Sequence, residues 1–346
     1  MTFGPLYLDH AATTPLLPQA REAMLEGFRL WANPSSPHKA GRAARAALED
    51  ARARLKIALG WDGEVIFASG ASEALALAIR YAKAGPLVVS AVEHDAVLRA
   101  AGPEAVRLAV SPDGLVDLET LSSGLAAIQQ VNSETGVIQP IEAIAGQVRS
   151  HGGVLLVDAA QGVGKLSLPD ADMIALSAHK FGGPIGIGAL LVRDYALLDA
   201  PGGQERGYRG GTENLPGVLG MVAALEAGNG WMVDAARLRA LLEAGVVASG
   251  GDVIAAGTPR ISTIGGYRMP GKSANAQLIR FDGMGIAVSA GSACSSGSLK
   301  ASHVLTAMGV DAPGEVIRVS IGRETSEVDI ERFLAAWREI AGKVAA

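Results

Sequence analysis

The chain of 346 residues has a single cysteine, Cys294. That excludes an intrachain disulfide and a metal site built from several thiolates, so any sulfur chemistry is that of one lone thiol. It also lacks any uninterrupted apolar stretch of about 20 residues, the length a membrane-spanning helix needs. The opening MTFGPLYLDHAATTP has neither the basic start nor the apolar core of a signal peptide. A cytoplasmic protein is expected. Charge is sparse: 19% of residues are charged, and 30 basic against 35 acidic residues give a net charge of -5. No long Lys/Arg block advertises a nucleic-acid or membrane-surface partner, so a small-molecule substrate is expected.

What is present is a large apolar fraction, 49% of residues, in a chain too long for one minimal domain. Short apolar runs recur between helical stretches: Val65 to Ala68, Leu87 to Val92, Val154 to Val157, Met173 to Leu176 and Ala189 to Val192. This alternation predicts an α/β fold with a largely parallel, buried sheet. The texture changes after Gly228-Asn229-Gly230, which places a boundary near residue 232. We expect a large domain over 14–232 and a smaller α+β one formed by 1–13 and 233–346. The 44 glycines lie among apolar runs, as tight turns and close backbone approaches require. The stretch from Pro37 to Leu59, closed by Gly60, reads as a helix whose arginines Arg42, Arg45, Arg52 and Arg54 form a solvated face.

Three segments carry chemistry. In GGVLLVDAAQGVG, Asp158 and Gln161 fall just beyond a strand buried on both faces, where open α/β sheets gather ligands. In ADMIALSAHKFGGPIGIGAL, Lys180 follows another such strand. A lysine between apolar runs loses hydration as an ammonium, which favours the neutral amine that condenses with an aldehyde. Alone, Lys180 reads as a strand-end lysine reaching solvent. With Asp158 it points to pyridoxal phosphate, because a carboxylate keeps a pyridine nitrogen protonated and makes the ring an electron sink. In VIFASGASEALALAI, Gly70 permits a tight turn before a helix predicted to begin at Ser72, whose free N–H groups attract a phosphate. An ordinary capped helix would look the same, so this segment gains its weight from the other two.

The strings LDHAATTP, NPSSPHKAGR, SGASEALALAI, VEHDAVL, VNSETGVIQP, VDAAQGVGK, SAHKFGGPIGIGAL, RGGTEN, SAGSACSSGSLKASHVL and IRVSIGR run in family order from Leu8 to about Arg323. In them the chain resembles the NifS/IscS-type cysteine desulfurases of the class V aminotransferases. Selenocysteine lyases and other class V enzymes share most of the cofactor motifs.

The resemblance implies the fold of type I pyridoxal-phosphate enzymes, with Lys180 holding the cofactor, Asp158 at the pyridine nitrogen and Gln161 at the phenolic oxygen. His94 matches the histidine that stacks on the ring and shuttles protons. Ala71, Ser72, Ser177 and His179 match phosphate-binding positions. Thr212 matches a phosphate ligand given by the other subunit, which implies a homodimer with shared sites. Arg318 matches the arginine that grips the substrate carboxylate, a task suited to its planar fork, and Asn33 is a second expected substrate contact. Cys294, among Ser, Gly and Ala, matches the nucleophile. By similarity, L-cysteine displaces Lys180, Lys180 removes the α-proton, and the Cys294 thiolate takes the sulfur as a persulfide, leaving alanine. The sulfur then passes to an acceptor protein, in this family an iron-sulfur scaffold or a tRNA-thiolation protein.

Two departures stand out. The family usually has two asparagines where this chain reads Asn132-Ser133, and the second contacts the phenolic oxygen; Ser133 is shorter, so that contact passes through water or falls to Gln161 alone. The stretch between His94 and Asn132 is also shorter than usual, and no long scaffold-docking extension is expected after Ala346. A non-catalytic subunit of the same fold is the reading that Lys180, His94, Cys294 and Arg318 argue against.

Overall fold

The computed structural model describes residues 4–119, 121, 123–291 and 301–342. The described residues form twelve strands: β1 (Leu6–Tyr7), β2 (Glu64–Ala68), β3 (Leu87–Ser90), β4 (Val106–Leu108), β5 (Leu125–Gln129), β6 (Val154–Asp158), β7 (Met173–Ser177), β8 (Gly188–Val192), β9 (Asp252–Val253), β10 (Ile264–Arg268), β11 (Ile286–Ala287) and β12 (Val316–Ser320). Seven of them form one sheet in the order β2-β8-β7-β6-β5-β3-β4. All its pairings are parallel except those of β8, which runs against both neighbours.

The strands are apolar on both faces because both faces are covered. Val65, Phe67, Ile128, Val157, Ile174 and Leu191 join one core with the helices Pro18–Arg29, Lys39–Leu59, Ile141–Ser150 and Leu215–Glu226. Their sequence neighbours Ile66, Ala68, Ala127, Leu156, Ala175 and Leu190 join another with the helices Ala71–Tyr81 and Asp95–Ala101. Successive strand residues point to opposite faces, so a doubly covered strand must be apolar at every position.

A separate core joins Leu6 and Leu8 to residues 235–340. It packs the helices Met232–Ala248 and Glu327–Ala341 against β10 and β12, with Phe281 stacked on Phe333 at 5.0 Å. The N-terminal strand β1 pairs with β11, so the first residues of the chain belong to this later core. Among the described residues no helix is long and apolar enough to cross a membrane.

The helix Lys39–Leu59 ends as expected, with Gly60 in the left-handed region at φ 64°. Its arginine face needs correction. Arg52 is buried, donates to both carboxylate oxygens of Glu205 at 2.8 and 3.0 Å and to the carbonyl of Val65 at 2.7 Å, and lies over the ring of Phe67. Glu205 comes from 153 positions further on. No local pattern could announce that partner.

Candidate active site

Five strand ends converge on one edge of the large sheet. Register sets Gln129 beside Asp158, Asp158 beside Ala175, and Ser177 and Ala68 on either side of Gly188. The segments leaving β2, β3, β5, β6 and β7 therefore carry Gly70, His94, Ser133, Asp158 with Gln161, and Lys180 to a common place. The carboxyl end of a parallel sheet is where such folds bind ligands.

Asp158 is the last residue of β6 and is buried. One oxygen accepts the Ala160 N–H at 2.9 Å. Burial pushes its carboxyl up from the ordinary range, against the pull of that N–H and of the nearby His94 and Lys180 charges. His94 caps the helix Asp95–Ala101, its Nδ1 accepting the Ala96 N–H at 3.1 Å. A ring nitrogen that accepts holds no proton, so the proton of neutral His94 sits on Nε2.

Lys180 closes a 3-10 turn directly after β7 and is half-buried. Its amine donates to the carbonyls of Ala11 at 2.7 Å and Ala12 at 2.9 Å. Gln161 Nε2 donates to the same Ala11 carbonyl at 2.9 Å. One oxygen of the N-terminal segment thus holds both the amine and the amide.

Beside them the helix Ala71–Tyr81 starts without a side-chain cap, after Gly70 at φ 156°. Its first N–H groups have no partner within the helix. A Cβ on Gly70 would meet the Ser177 hydroxyl at 3.5 Å, so that hydroxyl borders the same turn. Ala71 is buried and Ser72 exposed; the helix starts one residue earlier than expected. His179 Nδ1 lies 3.2 Å from the Thr13 hydroxyl, and burial, with Lys180 and Lys165 nearby, holds this histidine down at about 4, neutral at physiological pH.

Arg318, on β12, is buried, with Nη2 2.7 Å from Asp9 Oδ1 and Nη1 3.0 Å from the Ser133 carbonyl. Its backbone exchanges two hydrogen bonds with Ser289. Asn132 organises the Ser133 turn, its Oδ1 accepting from the N–H groups of Glu134 and Thr135. Asn33 and Thr212 are exposed, and Asn33 Oδ1 accepts the Ser35 N–H in a local turn. Cys294 lies outside the described residues. The flanking Ser289 adjoins Arg318, and Ser302 donates to Glu134 at 2.5 Å.

A pyridoxal phosphate fits this donor set. A buried carboxyl at a strand end suits a pyridinium, a lysine amine suits an aldehyde, and an uncapped helix start beside a serine hydroxyl suits a phosphate. Two buried charged residues, Lys165 and Glu93, and the half-buried Asp9 escaped the sequence reading. Lys165 ends the VDAAQGVGK string, Glu93 precedes His94, and Asp9 sits in LDHAATTP. The only available signal was a charged residue inside an apolar string.

The chain matches the family model described as aminotransferase class-V over residues 6–333. It is 37% identical over 374 aligned positions to a cysteine desulfurase of Cereibacter sphaeroides, covering 99% of this chain and 97% of that one. It is 36% identical to an IscS-like cysteine desulfurase of Mycobacterium tuberculosis, covering 98% and 96%. Among solved structures, a NifS-like protein from Rickettsia africae superposes with a TM-score of 0.89 at 29% identity, covering 97% of this chain and 99% of that one. SspA in complex with cysteine superposes at 0.79 with 30% identity, covering 91% and 98%. These matches span the sheet, the site-bearing strand ends and the later core together, and the chain belongs to the class-V aminotransferases, among the cysteine desulfurases of NifS type.

Proposed function

We propose that this chain is a pyridoxal-phosphate-dependent cysteine desulfurase, converting L-cysteine to L-alanine while one sulfur atom is transferred to Cys294 as a persulfide. The observation that carries the reading is the meeting of Lys180, Asp158 and His94 at one sheet edge, with Arg318 joined to the same place through Ser133.

Lys180 is the residue that would hold the cofactor's aldehyde carbon, with Asp158 at the ring nitrogen and Gln161 and Ser133 on the phenolic side. Ala71, Ser72, Ser177 and His179 would hold the phosphate, together with Thr212 of a second copy; the exposure of Thr212 supports that homodimer. Bound there, pyridoxal phosphate supplies an electron sink for charge developing at the substrate α-carbon. Arg318, with Asn33 as a second contact, would fix the α-carboxylate. Lys180 would serve as the base for the α-proton, and His94 Nε2 would donate or accept a proton at the same site. The Cys294 thiolate attacks the substrate sulfur: an S–S bond forms, the C–S bond breaks, and the carbon takes a proton to become alanine. The sulfur then leaves for an acceptor protein. The separate cores support division into a large part over 14–232 and a smaller part from 1–13 and 233–346.

Protein loaded with pyridoxal phosphate is expected to absorb visible light through the lysine-bound cofactor and to release alanine and sulfide from L-cysteine with a thiol reductant. Cys294→Ala should keep the absorbance and lose the sulfide. Absence of alanine from the wild type would overturn the proposal.

A further inference from the structure

Residues 9–14 form a strap from the later core to the large sheet. Asp9 bridges to Ser320 beside β12, and the Ala11 N–H donates to the Ser320 hydroxyl at 2.9 Å. At its far end the Thr14 N–H donates to the His179 carbonyl at 2.8 Å. The strap therefore touches both the arginine-bearing strand and the turn that carries Lys180.

Where it meets Arg318 the contact is specific. A guanidinium offers five N–H donors in one plane. Asp9 occupies one corner at 2.7 Å and the Ser133 carbonyl another at 3.0 Å. The Nε–H is buried and has no partner among the described residues. Leaving such a donor unpaired is costly, which marks the remaining edge as one that an incoming acceptor completes. Asp9 itself is reached by solvent over 21% of its side chain. Tyr7 steadies it from beneath, donating to the Asp9 carbonyl at 3.0 Å.

We propose that Asp9 is a positioning residue that sets specificity for α-amino acids, by gripping one corner of Arg318 so that its remaining N–H groups face the substrate carboxylate. The inference rests on the reading of Arg318 as the carboxylate-binding arginine. A planar fork binds a carboxylate well only when two N–H groups lie in the carboxylate plane, so a guanidinium free to turn loses affinity while retaining charge.

The test compares Asp9→Ala, Asp9→Asn, Asp9→Glu and Arg318→Ala in cofactor-loaded enzyme. Asp9→Ala is expected to raise KM for L-cysteine by about tenfold and to change kcat far less, the loss of one charge-assisted contact. Asp9→Asn keeps an oxygen acceptor at the same reach and should recover part of that loss. Cysteamine has the amine and thiol without the carboxylate, and its affinity, followed through cofactor absorbance, should not change in Asp9→Ala. An unchanged KM, or equal weakening toward L-cysteine and cysteamine, would overturn the proposal, the second outcome marking a structural role. If the alanine variant does not fold, Asp9→Glu should show a higher KM than Asp9→Asn, and equal values would count against the idea. Should Arg318→Ala leave KM unaltered, the carboxylate reading of Arg318 fails by itself, whatever the Asp9 variants do.

Discussion

The amine of Lys165 lies 3.2 Å from the carbonyl oxygen of Gln161 and 3.5 Å from its side-chain oxygen. Lys165 is buried in the wall of a small cavity that Lys180, His10 and Arg323 also line. No carboxylate pairs with it among the described residues, and burial, with Lys180 nearby, pulls its amine down to about 7.

Stability should carry the signature of that lysine. In the unfolded chain the amine holds its proton to about 10.5, whereas the folded protein gives it up near 7, so stability falls as pH drops through that window. Lys165→Met removes the penalty. Denaturant unfolding should show the variant gaining on the wild type by a few kcal/mol below neutral pH, with the gain shrinking in alkaline buffer. A pH-independent difference would refute this.

Glu93 gives the opposite slope. It is fully buried, one oxygen accepting from Ser90 at 2.6 Å and from the Gln129 N–H at 3.0 Å, while burial, with Asp158 adding to it, lifts the carboxyl to about 8. The folded state then keeps a proton that the unfolded state loses near 4.5, and stability declines as pH rises from there to about 8. Glu93→Gln should escape the decline, so that its melting temperature overtakes that of the wild type as pH increases across this range.

The Arg52–Glu205 pair predicts a third behaviour. Glu205 also accepts the Phe67 N–H at 2.9 Å, so it ties the turn at 205–207 to β2. Glu205→Ala removes both bonds to the guanidinium's buried carboxylate partner, leaving Arg52 the partly exposed Glu49 at 3.2 Å, and should cost about 3 kcal/mol in urea unfolding. The double variant Arg52→Met, Glu205→Leu should lose much less, because no buried charge is left unpaired and the partly exposed Glu49 keeps Arg45. Equal losses would show that the cost lies elsewhere.

Gly188 supports the turn proposed to hold phosphate. A Cβ there would come 2.3 Å from the Leu176 carbonyl oxygen and 2.7 Å from Gly70 Cα, both backbone atoms that cannot swing aside. Gly188→Ala should weaken pyridoxal-phosphate affinity about tenfold and cost roughly 1–3 kcal/mol of stability. Equilibrium dialysis against the cofactor and thermal melts measure the two effects.

The central strands were legible because doubly buried strands are apolar at every position, and β2, β6, β7 and β8 fall within a residue of where the pattern put them. The run from Leu87 was taken two residues too far, since Ala91 and Val92 are apolar for another reason: Val92 packs into a cluster with Val304 and Leu305. Lys180 and Asp158 were read as candidates for chemistry because each falls at or just past the end of such a strand. Arg52 was misjudged because its partner is remote in sequence. Glu93 and Lys165 passed unnoticed because burial of a charged residue has no local signature, and Asp9 because its partner Arg318 lies 309 positions away.

From the sequence alone come the alternation of strands and helices, the turn glycines and the order of the motifs, all fixed by short-range sterics and by where apolar residues fall along the chain. Only the tertiary structure decided which remote groups meet. It brings Asp9 to Arg318 and the Ala11 carbonyl to both Lys180 and Gln161, because β1 pairs with β11 in the later core and the chain then crosses to the large sheet. Contacts of that kind depend on how two packed cores are docked, and no periodicity within either segment encodes it.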